Sequence, residues 1–375
     1  MKIPLFLPWI TKDDIHTVSK TLKNPQLTDG SILRKFESKF AKITNSKYAV
    51  GVSNGTEALH LSLISCDIGP GDEVIVPDFT FIATANAVVS SGAKPILADI
   101  DESLNISIDS IKKRITSKTK AIIPVHFGGL SCNIREIKKI ARKHNLKIIE
   151  DCAHAFGTFE NDKHVGTFGE SGCFSFYPTK NITTIEGGMI ITDSKKLYTK
   201  LTSLRNHGLN RSLLDRNKSS FPWEYDVISP GHNFRLDEVR SALGVSQLSR
   251  YSVARSKRVN AAKYYNSKLK NISGINIVNF EKTNLNSFHM YIVRITKEFG
   301  ISRNLLHKKL FSKGIQTTMH YKPLHNFSYY SKSNKSNLFP NSSLAYSECL
   351  TLPLFPTITK KQQDYVIENI LKYQK

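Results

Sequence analysis

Lys180 follows the short apolar run Cys173-Phe174-Ser175-Phe176 in a chain of 375 residues. Asp151 ends an earlier run, Leu146-Lys147-Ile148-Ile149-Glu150-Asp151. A strand-end carboxylate, then a serine (Ser175) and a lysine, could together carry out amine chemistry on an aromatic aldehyde. The lysine can form a Schiff base with a carbonyl. The aspartate can hold a proton on a pyridine nitrogen, so that the ring stays cationic and draws electrons. These are the needs of pyridoxal phosphate (PLP). Singly, neither residue is diagnostic. A lone lysine is usually a solvated charge, and an aspartate after an apolar strand can cap a helix, hold Mg²⁺ or pair with an arginine. The order and context of the two carry the reading.

Other segments add to it. Val50-Gly51-Val52-Ser53-Asn54-Gly55-Thr56-Glu57 passes from a short strand through a turn into a helix. The free N–H groups and dipole at such a helix start favour a phosphate. Gly55 allows close backbone approach and Thr56 offers a hydroxyl, although an ordinary capped helix reads the same way. No Walker GxxxxGK[ST] and no GxGxxG occurs, which weighs against nucleotide-triphosphate and dinucleotide binding. Phe81 follows the strand Glu73 to Pro77 and could stack on a planar ring, where a core aromatic is the default. In Asp151-Cys152-Ala153-His154, the small Ala153 suits a flat ring lying against the chain. Metal ligation by His154 lacks a third ligand at a compelling spacing.

These residues need a scaffold. Strand patterns at Glu73 to Val76, Pro95 to Asp99, Ala121 to His126, Lys147 to Asp151 and Gly187 to Thr192 alternate with helical ones at Thr80 to Ser91, Ile108 to Ile115 and Ile134 to His144. The rhythm predicts an α/β fold with a mostly parallel central sheet covered by helices. A long helical pattern spans Leu236 to Tyr265. Strands near Gly274 to Val278 and Met290 to Ile295, then helices at Ser302 to Lys313 and Thr359 to Tyr373, predict a smaller α+β part. The expected division is a large domain over 1–250 and a small C-terminal domain over 251–375. The segments 208–231 and 322–342, rich in Ser, Asn, Pro and aromatics, read as long functional loops.

Composition bounds the partners. No stretch of 18 uninterrupted apolar residues occurs, so no membrane span is expected. The start, Met1 to Trp9, is apolar but broken by prolines and lacks the pattern of a signal peptide. The cysteines number five, with no CxxC, which fits free thiols in a reducing cytoplasm. Two Asn-x-Thr sequons, at Asn54 and Asn181, fall among the site residues, where a glycan is not expected. The net charge of +22 invites a polyanion reading. The lysines are dispersed, with no basic block, and no helix-turn-helix or RNA-binding signature stands out, so no nucleic acid partner is expected.

Several strings together resemble the DegT/DnrJ/EryC1/StrS family of PLP-dependent nucleotide-sugar aminotransferases, within the fold-type I (aspartate aminotransferase) superfamily. They are Ser53-Asn54-Gly55-Thr56-Glu57-Ala58-Leu59, Gly69-Pro70-Gly71-Asp72-Glu73-Val74-Ile75, Glu150-Asp151-Cys152-Ala153-His154-Ala155, Phe174-Ser175-Phe176-Tyr177-Pro178-Thr179-Lys180-Asn181, Glu186-Gly187-Gly188 and Gly231-His232-Asn233-Phe234-Arg235-Leu236-Asp237-Glu238. The resemblance runs over nearly the whole chain in the expected order.

It implies a role for each matched residue. Lys180 would be the Schiff-base lysine and the proton shuttle, and Asp151 would pair with the pyridine nitrogen. Phe81 would stack on one ring face, with Ala153 behind the other. His154 would lie near the ring hydroxyl, where many members carry glutamine. Gly55, Thr56 and Ser175 would hold the phosphate. Asn233 would reach the cofactor of a partner subunit, which implies a homodimer with shared sites. His320 and Tyr321 would face the sugar. The activity implied is transfer of an amino group from L-glutamate to a nucleotide-diphosphate keto-sugar, at C4 of a 4-keto-6-deoxyhexose, for surface glycans. Amination at C3 and PLP-dependent dehydration are the alternatives. The dehydrating relatives carry histidine at the lysine position, so Lys180 counts against dehydration. A non-enzymatic regulator would leave the ordered set of Asp151, Ser175 and Lys180 unexplained.

Overall fold

The computed structural model describes residues 1–211, 216, 220–278, 285–331 and 336–374. Seven strands form the central sheet: β1 (Tyr48–Val52), β2 (Glu73–Pro77), β3 (Lys94–Ala98), β4 (Thr119–Ile122), β5 (Lys147–Asp151), β8 (Ser171–Ser175) and β9 (Gly188–Thr192). Their order is β1-β9-β8-β5-β4-β2-β3. All are parallel except β9, which is antiparallel to both β1 and β8. The reversal has a local cause. No helix lies between Ser175 and Gly188, and a parallel return requires a crossover of a dozen or more residues, usually helical. A small hairpin, β6 (Phe159–Glu160) with β7 (Lys163–His164), lies outside this sheet.

Helices cover both faces. The helix α3 (Gly55–Ser65) starts where Asn54 caps it, its Oδ1 accepting from the Glu57 N–H at 3.0 Å. It buries Ala58, Leu59, Leu61 and Leu63 against strand residues such as Val50, Val76, Ile149 and Ile190. On the other side, Leu33, Phe36 and Phe40 of the helix Ser31–Thr44 pack with Phe156, Phe174 and Phe176. A second core forms around the antiparallel sheet β10 (Ile275–Ile277), β11 (Tyr291–Ile295) and β12 (Cys349–Leu352), with the helix Tyr251–Leu269 against it. Ile3 joins this second core and bridges to Ile315, so the first residues of the chain return to its last third.

Four expected elements differ. The strand expected over Ala121 to His126 is Thr119–Ile122 and stops where Pro124 interrupts it. The pattern over Leu236 to Tyr265 is two helices, Glu238–Ser249 and Tyr251–Leu269, broken at Arg250. Arg250 leaves helical geometry, and its guanidinium binds the Trp9 carbonyl and the Asp14 carboxylate. The helix expected from Thr80 starts at Ala83, which leaves Thr80 and Phe81 outside it. The segment 322–342 is not loop throughout, because a helix, Pro340–Glu348, begins inside it. Its free N-terminal amides at Asn341 and Ser342 donate to the Asp99 carboxylate at 3.0 and 2.9 Å. That cap comes from a distant part of the chain, so no local pattern announces it. The rest of the loop expectations fall partly on 212–215, 217–219 and 332–335, outside the described residues. No helix among the described residues is long and apolar enough to cross a membrane.

Candidate active site

The C-terminal ends of β1, β2, β5 and β8 converge on one cavity of about 650 Å³, the usual place for a ligand in a parallel sheet. It gathers Gly55, Thr56, Phe81, Asp151, Ala153, His154, Ser175, Lys180, His320 and Tyr321 from five separate segments. Asn233 is not among its lining residues. It is exposed, bridged to Asn206 on a separate stretch of backbone.

The lysine loop is stapled from several sides. Phe176 N–H donates to the Gly187 carbonyl at 2.8 Å, and Lys180 N–H closes a turn on the Tyr177 carbonyl at 2.9 Å. The Asn181 amide reaches the Phe156 carbonyl at 3.1 Å. The Lys180 amine is thereby placed at the cavity base. Its shelter from water pushes its pKa down to about 8, against the opposing pull of the Asp151 carboxylate. An amine at that value is partly neutral at physiological pH and can act as a nucleophile or base.

Asp151 is 5% exposed. Its Oδ1 accepts from the Ala153 N–H at 3.1 Å and its Oδ2 from the Thr84 hydroxyl at 2.8 Å. Burial raises its pKa, while these bonds and the lysine charge oppose the rise. Its neighbour Glu150 points to the opposite face. There it accepts from the N–H groups of Gly166, Phe168 and Gly169 at 2.7, 2.6 and 2.9 Å, and pairs with His126 at 3.0 Å. Cys152 joins this buried group, whose ligand-type atoms lie within 4.8 Å of one another. Both Glu150 oxygens are already taken by donors, and the His126 Nδ1 accepts from Cys132 N–H. The group therefore serves as an internal brace.

PLP can be tested against this geometry. A Cβ built on Gly55 would stand 2.7 Å from the Ser175 Cβ, so only glycine lets the α3 N-terminus approach the serine so closely. The same approach brings Gly188, where a Cβ would meet the Asn54 carbonyl oxygen at 2.4 Å. The result is a cradle of helix amides and a hydroxyl at one end of the cavity, with a buried carboxylate and a sheltered lysine beyond it. Phe81, 53% exposed, leaves an aromatic face in the cavity. The residues fit the cofactor.

The opposite wall is a stack of rings. Phe6 lies 5.5 Å from His289, His289 4.6 Å from His154, and His154 5.9 Å from Tyr321. His154 Nε2 meets the Tyr321 hydroxyl at 3.1 Å, whereas its Nδ1 is buried with no partner among the described residues. Burial drives His154 and His289 well below the usual imidazole range and His320 down to about 3, so this wall is uncharged. Burial likewise raises the Tyr321 phenol, which stays protonated.

Phe6, Thr84, Thr179, Glu186 and His289 also line the cavity and were not expected from the sequence. Thr84 carried a readable signal, a hydroxyl one helical turn past Phe81. Phe6 and His289 carried none, since both reach the site from parts of the chain far from the other site residues in sequence.

A carboxylate and a sheltered lysine facing a phosphate cradle, on a sheet of this topology, define a PLP-dependent transferase of fold type I. The chain belongs to the DegT/DnrJ/EryC1/StrS aminotransferase family, whose pattern matches residues 8–371. Among its relatives is the spore coat polysaccharide biosynthesis protein SpsC of Bacillus subtilis, 37% identical over 373 residues, which are 98% of this chain and 96% of that protein. Helicobacter pylori PseC, an aminotransferase involved in the biosynthesis of pseudoaminic acid, superposes with a TM-score of 0.93 at 29% identity, covering 100% of this chain and 99% of the other. DesV of S. venezuelae superposes with a TM-score of 0.88 at 29% identity, covering 99% of each chain. The protein is a PLP-dependent sugar aminotransferase.

Proposed function

We propose that the enzyme moves the amino group of L-glutamate to a nucleotide-diphosphate keto-sugar, at C4 of a 4-keto-6-deoxyhexose. The product would be an amino-deoxy sugar for surface glycans, made in the cytoplasm. The observation that carries the reading is the cavity itself. It places a partly neutral lysine at its base and uncharged rings and hydroxyls (Tyr321, His320, Thr80, Thr84) on its walls, a lining suited to a polyhydroxylated substrate. The names of SpsC and PseC, which refer to a polysaccharide and to pseudoaminic acid, support the glycan assignment.

PLP, when bound, supplies the electron sink that amino transfer needs. Gly55, Thr56 and Ser175 would hold its phosphate through the helix amides and hydroxyls. Asp151 would keep a proton on the pyridine nitrogen, with Thr84 and the Ala153 amide fixing its carboxylate. Phe81 and Ala153 would flank the ring, and His154 would offer its unpartnered Nδ1 to the ring hydroxyl. Lys180 would take the Cα proton of the donor and later deliver one to the sugar carbon that receives the amine. His320 and Tyr321 would orient the sugar. Asn233, exposed and away from this cavity, would reach the cofactor phosphate of a second copy, so that the homodimer shares its sites.

The test is incubation of the PLP-loaded protein with glutamate and a panel of 3-keto and 4-keto nucleotide sugars, with product masses and 2-oxoglutarate release followed. A 4-amino product is expected. Amination of 3-keto substrates alone would overturn the C4 assignment, and indifference to glutamate beside activity with another donor would overturn that one.

A further inference from the structure

The segment carrying His320 and Tyr321 is tied to the central sheet by a buried clasp at Asp78 and His325. Asp78 follows β2 directly, is fully buried, and donates its own N–H to the Ala98 carbonyl at 2.8 Å. It is therefore part of the rigid frame. Three bonds join it to the substrate segment. Leu324 N–H donates to the Asp78 carbonyl at 2.8 Å. His325 N–H donates to Asp78 Oδ1 at 2.8 Å, and the His325 Nδ1 bonds Oδ2 at 2.7 Å. A carboxylate oxygen accepts, so His325 carries its proton on Nδ1. The imidazole also stacks on Phe339 at 5.0 Å, and its Nε2 is buried without a partner among the described residues.

Neither clasp residue lines the active-site cavity, yet each lies within a few residues of one that does. Asp78 precedes Phe81 on one side. His325 follows Tyr321 on the other. The rings of Phe81 and Tyr321 stand 5.6 Å apart. Among the described residues, the Tyr321 side chain bonds His154 and the His320 ring bonds the Thr351 hydroxyl at 2.9 Å. On its N-terminal side the segment is held by a backbone bridge between Thr318 and Thr351, at 3.3 and 2.7 Å, so the clasp is its anchor on the C-terminal side.

We propose that Asp78 and His325 are positioning residues for the sugar half of the reaction, setting where Tyr321 and His320 stand in the wall of the cavity that the keto-sugar enters. The inference rests on the reading of His320 and Tyr321 as sugar-facing. Misplacing a substrate-orienting group by an ångström can cost on the order of 100-fold in rate, so a loosened clasp should be felt in the cavity.

The experiment separates the two half-reactions of the PLP-loaded enzyme. His325→Leu removes the ring donor and leaves half of a buried carboxylate without its partner. Its KM for the keto-sugar should rise on the order of tenfold or more, while the single-turnover reaction with glutamate and the cofactor absorbance stay near wild type. His325→Asn puts an amide N–H close to the place of Nδ1 and should restore most of the sugar affinity. Should His325→Leu not fold, His325→Gln, which keeps bulk but displaces the donor, takes its place. Tyr321→Ala serves as the reference. If it raises the sugar KM and the His325 variants do not, the clasp inference is wrong. An equal loss in both half-reactions, unrelieved by asparagine, also overturns it, since that is the mark of a general structural role. If Tyr321→Ala leaves the sugar KM unchanged, the fault lies in the underlying reading of the segment.

Discussion

The state of the Lys180 amine can be read from the pH at which the protein takes up its cofactor. With a pKa of about 8, the amine is neutral in about one molecule in ten at pH 7, whereas a lysine at 10.5 would be neutral in about one in 3,000. Only the neutral form attacks a carbonyl. Cofactor-free enzyme mixed briefly with PLP, then quenched with borohydride, should carry the label at Lys180, located by peptide mass. The initial rate should climb about tenfold per pH unit below pH 8 and level off above it, once the pH dependence of PLP with a simple amine is divided out. The Asp151 charge favours protonated lysine, so Asp151→Asn should move the midpoint below 8 even though turnover falls. A midpoint near 10 in the wild type would refute the sheltering of the amine. A midpoint in Asp151→Asn that stays put or rises would refute its coupling to Asp151.

Other consequences are open to measurement. Gly55→Ala sets a Cβ against Ser175, and overpacking of this kind costs about 1–3 kcal/mol, equivalent to roughly 5–150-fold in PLP dissociation constant by fluorescence titration. An affinity within twofold of wild type would show that the cradle is looser than drawn. Thr84→Val removes one of the two donors to Asp151 and should slow turnover several-fold, with only a small change in melting temperature; unchanged turnover would leave the hydroxyl without a role. For the shared site, mixing Asn233→Ala with Lys180→Ala subunits should recover part of the activity, because one of the two mixed sites is then intact. No recovery despite subunit exchange, where Asn233→Ala is itself defective, would rule out that arrangement.

The chemistry of this chain was more legible than its architecture. Asp151, Ser175 and Lys180 sit at or just past strand ends, and a strand end is written locally, by an apolar run and its stop. The same holds for β2, β3 and β5, whose bounds fall within a residue or so of the pattern. The reversal of β9 was hidden because its sequence, Gly188-Met189-Ile190-Ile191-Thr192, is as apolar as a parallel strand buried on both faces. The helix Pro340–Glu348 depends on Asp99 for its cap, and Phe6 and His289 come to the cavity from parts of the chain far apart in sequence. Such partners are chosen by tertiary packing, and no window of sequence contains both members.

Glu150 and Asp151 are adjacent carboxylates aimed at opposite faces of one strand. A slip of a single residue in β5 would exchange them. The apolar part of the strand would resist weakly, because Ile148 and Ile149 are the same residue and both are buried. The donors waiting for Glu150, three amides and His126, lie at the reach of the longer side chain, and an aspartate in its place would fall a methylene short. The brace beneath the sheet thus works as a registration pin. It makes the productive alignment of the chain the one in which the shorter acid faces the cofactor, and every donor that enforces the choice belongs to the protein itself.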